Sequence, residues 1–290
     1  MNPTKLSDKV TLVKLTLRRA SLTKRDAYLS DKIQRQEGDS SLTVLTKLFK
    51  SKGNPISEIM AKYGEVYAYH KQNTQPYIDA GPRILRNDLY FEYTQEMKHR
   101  IAQVDKMLDV YLPDYDQLVH DDVMYRNSGH AAGRANASEY PSADQFRQSM
   151  SIELRFQPMP DERHFLFDLS EEDLAAFHAA EAETLAAMNS DILSRMLKPL
   201  SALTQRLHEY QGTKGERFHN SIVENVIEGC DLALKLAVNP TDAFKQEIEL
   251  LKAEAKGCLD SVEVIKGSVM ARASAKQKLE AVAARMAAFN

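Results

Sequence analysis

Two cysteines, Cys230 and Cys258, are all that 290 residues offer for a disulfide or a thiolate metal site. Both fall in helical apolar stripes, where a free thiol packs as a small hydrophobe, so no disulfide or zinc framework is expected. No apolar run approaches the roughly 18 to 20 residues that a membrane-spanning helix needs. The opening MNPTKLSDKV lacks the apolar stretch of a secretory signal, and the expectation is a cytoplasmic protein with no membrane partner. Catalytic signatures are missing too. KSKGN and GTKGE lack the spacing of a Walker-type phosphate loop, and G-x-S-x-G, H-E-x-x-H and C-x-x-C do not occur. The nearest approach to a metal site is His120, Asp121 and Asp122, preceded by Asp114 and Asp116 and followed by His130. Adjacent helical residues point about 100° apart, so the two aspartates cannot face one ion, and the group reads as a solvated acidic helix end. The chain is therefore read as a non-enzyme without metal or cofactor.

With 43% hydrophobic residues, the chain is long enough for one large or two ordinary domains, each with its own core. Its net charge of −3 conceals an uneven distribution. Residues 1–62 hold 13 Lys and Arg against 6 Asp and Glu, a net of +7, whereas residues 109–170 hold 5 against 11, a net of −6. A basic end on an acidic body suits an anionic partner, although a solvated basic face is the commoner cause of such an excess.

Periodicity supplies the coarse structure. Val13, Leu15 and Leu17 alternate with Lys14, Thr16 and Arg18, which predicts a strand at 10–18 with its cations on the wet face. Ile152, Leu154 and Phe156 alternate in the same way, as do Phe165, Phe167 and Leu169 beyond the turn PMPDER. These predict strands at 151–157 and 164–169, a hairpin that pairs with strand 10–18 in one small antiparallel sheet with a single wet face. The remainder is predicted helical, with starts signalled by Asn54-Pro55, Ser142 with Gln145, Ser170 with Asp173, and Asn239-Pro240. Leu185, Met188, Ile192, Met196, Leu200, Leu203 and Leu207 recur at steps of three and four. Shorter stripes run through Phe218, Ile222, Val226 and Cys230, through Phe244, Ile248 and Leu251, and through Leu279, Val282, Met286 and Phe289. The expected fold is mainly α with a small sheet: an α+β domain over 1–170, then an antiparallel helical bundle over 171–290, elongated or coiled-coil-like, with apolar surface left for oligomerisation. Residues 126–142, RNSGHAAGRANASEYPS, are rich in small and polar types and read as a mobile loop.

One stretch departs from this rhythm. YHKQNTQPYIDAGPRIL, residues 69–85, follows a helical stripe of Ile56, Ile59, Met60, Tyr63, Tyr67 and His70, and its Gln75-Pro76 and Gly81-Pro82 pairs break the helix. It reads as a rigid loop in which His70 is structural, Gly81 takes a positive φ, and Arg83 braces loop carbonyls or meets a phosphate.

The succession of YHKQNTQPYIDAGPRIL, LYFEYTQEM, EYPSADQFRQSMSIELRFQPMPDERHFLFDL and ERFHNSIVENVIE resembles a family of uncharacterised tailed-bacteriophage proteins encoded among replication and recombination genes. More distantly, it resembles a bacterial domain of unknown function encoded beside chelatase-like AAA ATPases. Neither family carries an established activity or catalytic residues; the resemblance implies a phage-encoded role in DNA metabolism in the host cytoplasm.

Two functions follow as expectations. In the first, the basic segment binds nucleic acid, single strands before duplex, through Lys14, Arg18, Arg19, Lys24, Arg25, Lys32 and Arg35. Tyr28, Tyr69 and Tyr77 then serve as stacking rings and Arg83 as a further phosphate contact, while the bundle oligomerises or docks a phage or host protein. In the second, the chain is an adaptor or inhibitor that grips an AAA ATPase or a host defence factor through the bundle and binds no nucleic acid.

Overall fold

The computed structural model describes residues 5–50, 53–129, 133–162, 169–213 and 216–289. Along the chain run β1 (Val10–Arg18), β2 (Thr23–Arg25), α1 (Ala27–Glu37), β3 (Leu45–Lys47), α2 (Pro55–Asn73), β4 (Gln75–Pro76), β5 (Arg83–Arg86) and α3 (Tyr90–Tyr111). There follow α4 (Tyr115–Ser128), α5 (Ala143–Ser149), β6 (Ser151–Pro158), α6 (Glu171–Glu209), α7 (Ser221–Leu236), α8 (Asp242–Asp260), α9 (Val262–Gly267) and α10 (Val269–Met286). The protein is α+β, mainly helical, with one four-stranded and one two-stranded sheet among the described residues. Two compact units interleave: one takes Met1–Val13, Asn73–Tyr90 and Phe156–Asn290, the other Lys14–Gln72 and Phe91–Arg155. This grouping differs from a single cut at residue 170, although Ser170 does cap the start of α6 by accepting from the Asp173 amide.

In the first unit α6, α7, α8 and α10 form an antiparallel bundle in which each helix packs on its chain neighbour and α10 closes on α6. The cause is the apolar periodicity: Met188, Ile192, Met196, Leu200, Leu203 and Leu207 of α6 are buried, as are Val226 and Cys230, Ile248 and Leu251, and Leu279, Val282 and Met286. Such stripes are stable only against one another. Leu185, predicted to belong to the stripe, is exposed. Pro199 lies inside α6 and has no N–H to offer the Arg195 carbonyl four residues earlier. At that level α7 comes so close that a Cβ on Gly229 would stand 3.0 Å from the Arg195 carbonyl oxygen. The start predicted at Asn239-Pro240 is two residues early. Asn239 has φ +53° and turns the chain, and Thr241 caps α8 by accepting from the Phe244 amide.

The strand order β4-β5-β1-β6 corrects the predicted sheet. The strands expected at 10–18 and 151–157 do pair as neighbours, while the one expected at 164–169 falls almost wholly outside the described residues. Two further strands come from the stretch read as a loop: β5 pairs with β1 (Val10↔Arg86, Leu12↔Ile84) and β4 pairs with β5 (Gln75↔Ile84). Pro76 can join because β4 is an edge strand, where a missing N–H leaves no ladder bond unmade. β1, with neighbours on both sides, is buried on both faces over its first half. Val10 and Leu12 pack with Leu6, Ile84, Met159 and Met188, and Val13 on the opposite face is fully buried. Lys14 and Arg18 are exposed, as the alternation predicts.

The Tyr77–Pro82 turn joining β4 to β5 behaves as its residues dictate. Gly81 has φ +110°. Arg83 is anchored by Nε to the Thr74 hydroxyl at 2.8 Å and by Nη2 to the Thr74 carbonyl at 2.9 Å.

The second unit is centred on buried rings. Phe49 lies 5.7 Å from Tyr115 and 5.0 Å from Tyr140, and Tyr115 lies 5.4 Å from Phe146. α2 buries Ile56, Ile59, Tyr63, Val66 and His70, and His70 Nδ1 shares a 2.6 Å hydrogen bond with the buried Tyr93 hydroxyl. Tyr67 leaves that stripe and is exposed.

Candidate functional site

Six basic residues of the second unit gather where α1 is strapped to the chain between residues 42 and 47. Asp26 begins α1 by accepting from the Leu29 amide at 2.9 Å, and its own amide donates to the Val44 carbonyl. Ser30 Oγ accepts from the Val44 amide at 3.0 Å, and Gln34 Nε2 donates to the Leu42 carbonyl at 2.7 Å. Gly38, at φ +71°, ends the helix in the left-handed conformation that glycine adopts without strain. These bonds fix β2 beside β3, in the register Thr23↔Lys47, Lys24↔Thr46 and Arg25↔Leu45. Tyr28, Lys32 and Arg35 follow at i, i+4 and i+7 of α1, so they share one helical face, and all three are exposed.

Two concavities open beside this ladder and share Asp26, Thr46 and Arg126 as a common wall. The larger, about 540 Å³, is lined in addition by Leu29, Val44, Leu45, Lys47, Lys50 and Tyr125. The smaller, about 250 Å³, is lined by Lys24, Arg25, Tyr28, Arg134 and Glu139. Six cations therefore face two carboxylates, and Glu139 is already paired with Arg126 at 2.6 Å. Rings and apolar side chains are interleaved with the charges: Tyr28 lies 4.3 Å beneath the Arg134 guanidinium, and Leu45 and Tyr125 are both more than half exposed.

The floor is held by a buried carboxylate. Asp122 accepts from the Phe49 amide at 2.7 Å, the Lys50 amide at 2.8 Å and the Tyr140 hydroxyl at 2.6 Å. Phe49 sits at φ +53°, which is strained for a residue with a Cβ, and the two amide bonds secure the turn that carries Lys47 and Lys50. Tyr140 in turn accepts from Arg126 Nη1 at 3.1 Å. Burial foremost, and the Asp122 bond next, push the Tyr140 phenol up to about 12. Burial works against the Arg126 charge, yet its bonds to Tyr140 and Glu139 outweigh this and raise its pKa. Asp122 is thus no part of a solvated acidic end, as the sequence suggested, but a fully buried acceptor. Asp121 points elsewhere and accepts from Gln117, and His130 lies outside the described residues. Among the described residues no group of three His, Cys, Asp or Glu side chains is placed to hold a metal ion.

Of the residues predicted to bind, Lys24, Arg25 and Tyr28 line the smaller concavity. Lys32 and Arg35 continue the Tyr28 face, and Lys14, Arg18 and Arg19 are exposed on and after β1 in the same unit. Three others are committed elsewhere. Tyr69 is stacked on Tyr93 at 5.9 Å, with the Arg100 guanidinium 4.6 Å from its ring centre, so it offers no free face for a base. Tyr77 packs against the apolar cluster of β1 and β5, and Arg83 spends its fork on Thr74. Lys47, Lys50, Tyr125, Arg126 and Arg134 were missed. Lys47 and Lys50 belong to the +7 segment, whereas Arg126 and Arg134 lie in the stretch read as a mobile loop. Within it, Asn127 accepts from the Ala135 amide and donates to its carbonyl, both at 2.9 Å.

No helix among the described residues is long and apolar enough to cross a membrane. No protein-family model, curated protein or solved structure matches this chain.

Proposed function

We propose that this protein is a non-enzymatic nucleic-acid-binding protein that takes single strands on the basic face of α1, β2 and β3. The observation that carries the reading is the interleaving of Lys24, Arg25, Lys47, Lys50 and Arg134 with the exposed rings of Tyr28 and Tyr125 around one pair of concavities. Cations tracking a backbone beside rings on which bases stack is the general solution for binding single strands without sequence preference. Single strands are favoured over duplex because the Tyr28 and Tyr125 rings stand among the cations. The resemblance to tailed-phage proteins supports a role for this binding in DNA replication or recombination.

The test is fluorescence anisotropy with a labelled (dT)20 at low salt. Charge reversal at Lys24, Lys32 and Arg35 is expected to weaken binding while leaving the melting temperature near wild type, since all three side chains are exposed. Binding unchanged by that triple reversal but lost on reversal of Lys14 and Arg18 would move the interface to β1.

The adaptor reading rests on a different observation: Val264, Val269 and Met270, close in sequence on α9 and α10, are between 61% and 83% exposed. It takes the lead if the wild-type protein binds neither single strands nor duplex at low salt.

A further inference from the structure

We infer that the two concavities flanking Arg126 hold one nucleotide of the bound strand, its phosphate against the Arg126 guanidinium and its base against Tyr125 and Leu45. The inference rests on the single-strand reading and names what that surface grips. Its first support is the state of Arg126. The side chain is only 9% exposed, and Nη1 is committed to Glu139 and Tyr140. Nε is buried without a hydrogen-bond partner. A buried N–H left unpaired is costly, and native structures seldom keep one without a reason. The guanidinium fork presents Nε and Nη2 side by side, the geometry that a phosphate accepts in bidentate fashion.

The second support is the lining. The larger concavity, about 540 Å³, lies within the size range of small-ligand pockets and combines apolar Leu29, Val44 and Leu45 with the Tyr125 ring. Lys47 and Lys50 stand in the same lining, while Lys24, Arg25 and Arg134 line the opposite lobe. A nucleotide seated with its phosphate at the wall therefore places its base on an apolar surface and the next phosphates of the strand among cations. Leu45 and Tyr125, otherwise unfavourably exposed, gain a partner.

The test compares (dT)12 with free dTMP by calorimetry at low salt, using the wild type, Arg126→Gln and Tyr125→Ala. Tyr125 is half exposed, so its variant keeps the fold even if Arg126→Gln does not. The expected result is that dTMP competes with (dT)12 and that Tyr125→Ala loses about fivefold or more in affinity, the effect of one base–ring stack. Oligonucleotide binding that is undiminished in Tyr125→Ala and indifferent to dTMP would overturn the nucleotide site while leaving the single-strand reading intact. Binding of dTMP that depends on Tyr125, without binding of (dT)12, would support the pocket and overturn the single-strand reading. Binding of neither would overturn both.

Discussion

At the scale of single residues, the structure rests on a few positions where backbone and side chain solve one problem together. Asp122 is the clearest: one buried carboxylate accepts from two amides and a phenol and holds Phe49 at positive φ. Hydrogen bonds to a charged group are worth about 1.5 to 3 kcal/mol, so Asp122→Ala is expected to lower stability by about that much or more, read as the midpoint shift in urea. Gly81 is the second. At φ +110° an alanine is strained, and Gly81→Ala should cost about 1 to 2 kcal/mol; an unchanged melting temperature would show that the turn relaxes. Both residues lay in plain view in the sequence, but only one was legible. Gly81 before Pro82 states its own backbone need, whereas Asp122 beside Asp121 looks like surface acid until the chain at Phe49 is brought to it. The surroundings of Tyr69 and Tyr77 were hidden for the same reason, since a ring's freedom depends on what stacks upon it.

At the scale of elements, the long stripes were read, except at Leu185 and Tyr67, because they repeat. Strand β1 was found within its observed bounds because alternation over its later half is strict. β4 and β5 were not, since two and four residues carry too little pattern and Pro76 argues against a strand until its edge position is known. The contact of α6 with α7 was also hidden, because nothing in sequence links Pro199 to Gly229. A Cβ at 229 would press on the Arg195 carbonyl, so Gly229→Ala should force the helices apart and cost about 1 to 3 kcal/mol. A rise in melting temperature would contradict that packing. The bundle also encloses Cys230, whose thiol burial pushes up to about 12. A thiol reagent at neutral pH is therefore expected to react with it only as the bundle opens.

At the scale of the whole molecule, stability should be lost in strong alkali. Burial first, then neighbouring carboxylates, raise the Tyr63, Tyr69 and Tyr140 phenols from about 10 to about 12 in the folded chain. The unfolded chain gives up these protons first, so their contribution is complete below pH 10 and falls as pH rises from 10 towards 12. Thermal melts across that window should show a downward slope that is absent between pH 7 and 9. The polarity of the molecule was legible in outline, because the +7 excess of residues 1–62 can be counted directly. Its concentration around two concavities was not, because Arg126 and Arg134 come from an acidic segment and reach the basic face only through the fold.

The central claim is that this face binds the phosphate backbone of single strands, and the salt dependence of (dT)20 affinity tests it most directly. Each phosphate neutralised contributes about 0.7 to the slope of log K against log salt on a single strand. If the six cations around the concavities are engaged, the account predicts a slope of about −4 that becomes shallower by about 2 when Lys24, Lys47 and Lys50 are all changed to glutamine. A wild-type slope near zero, or one that the triple change leaves untouched, would contradict it.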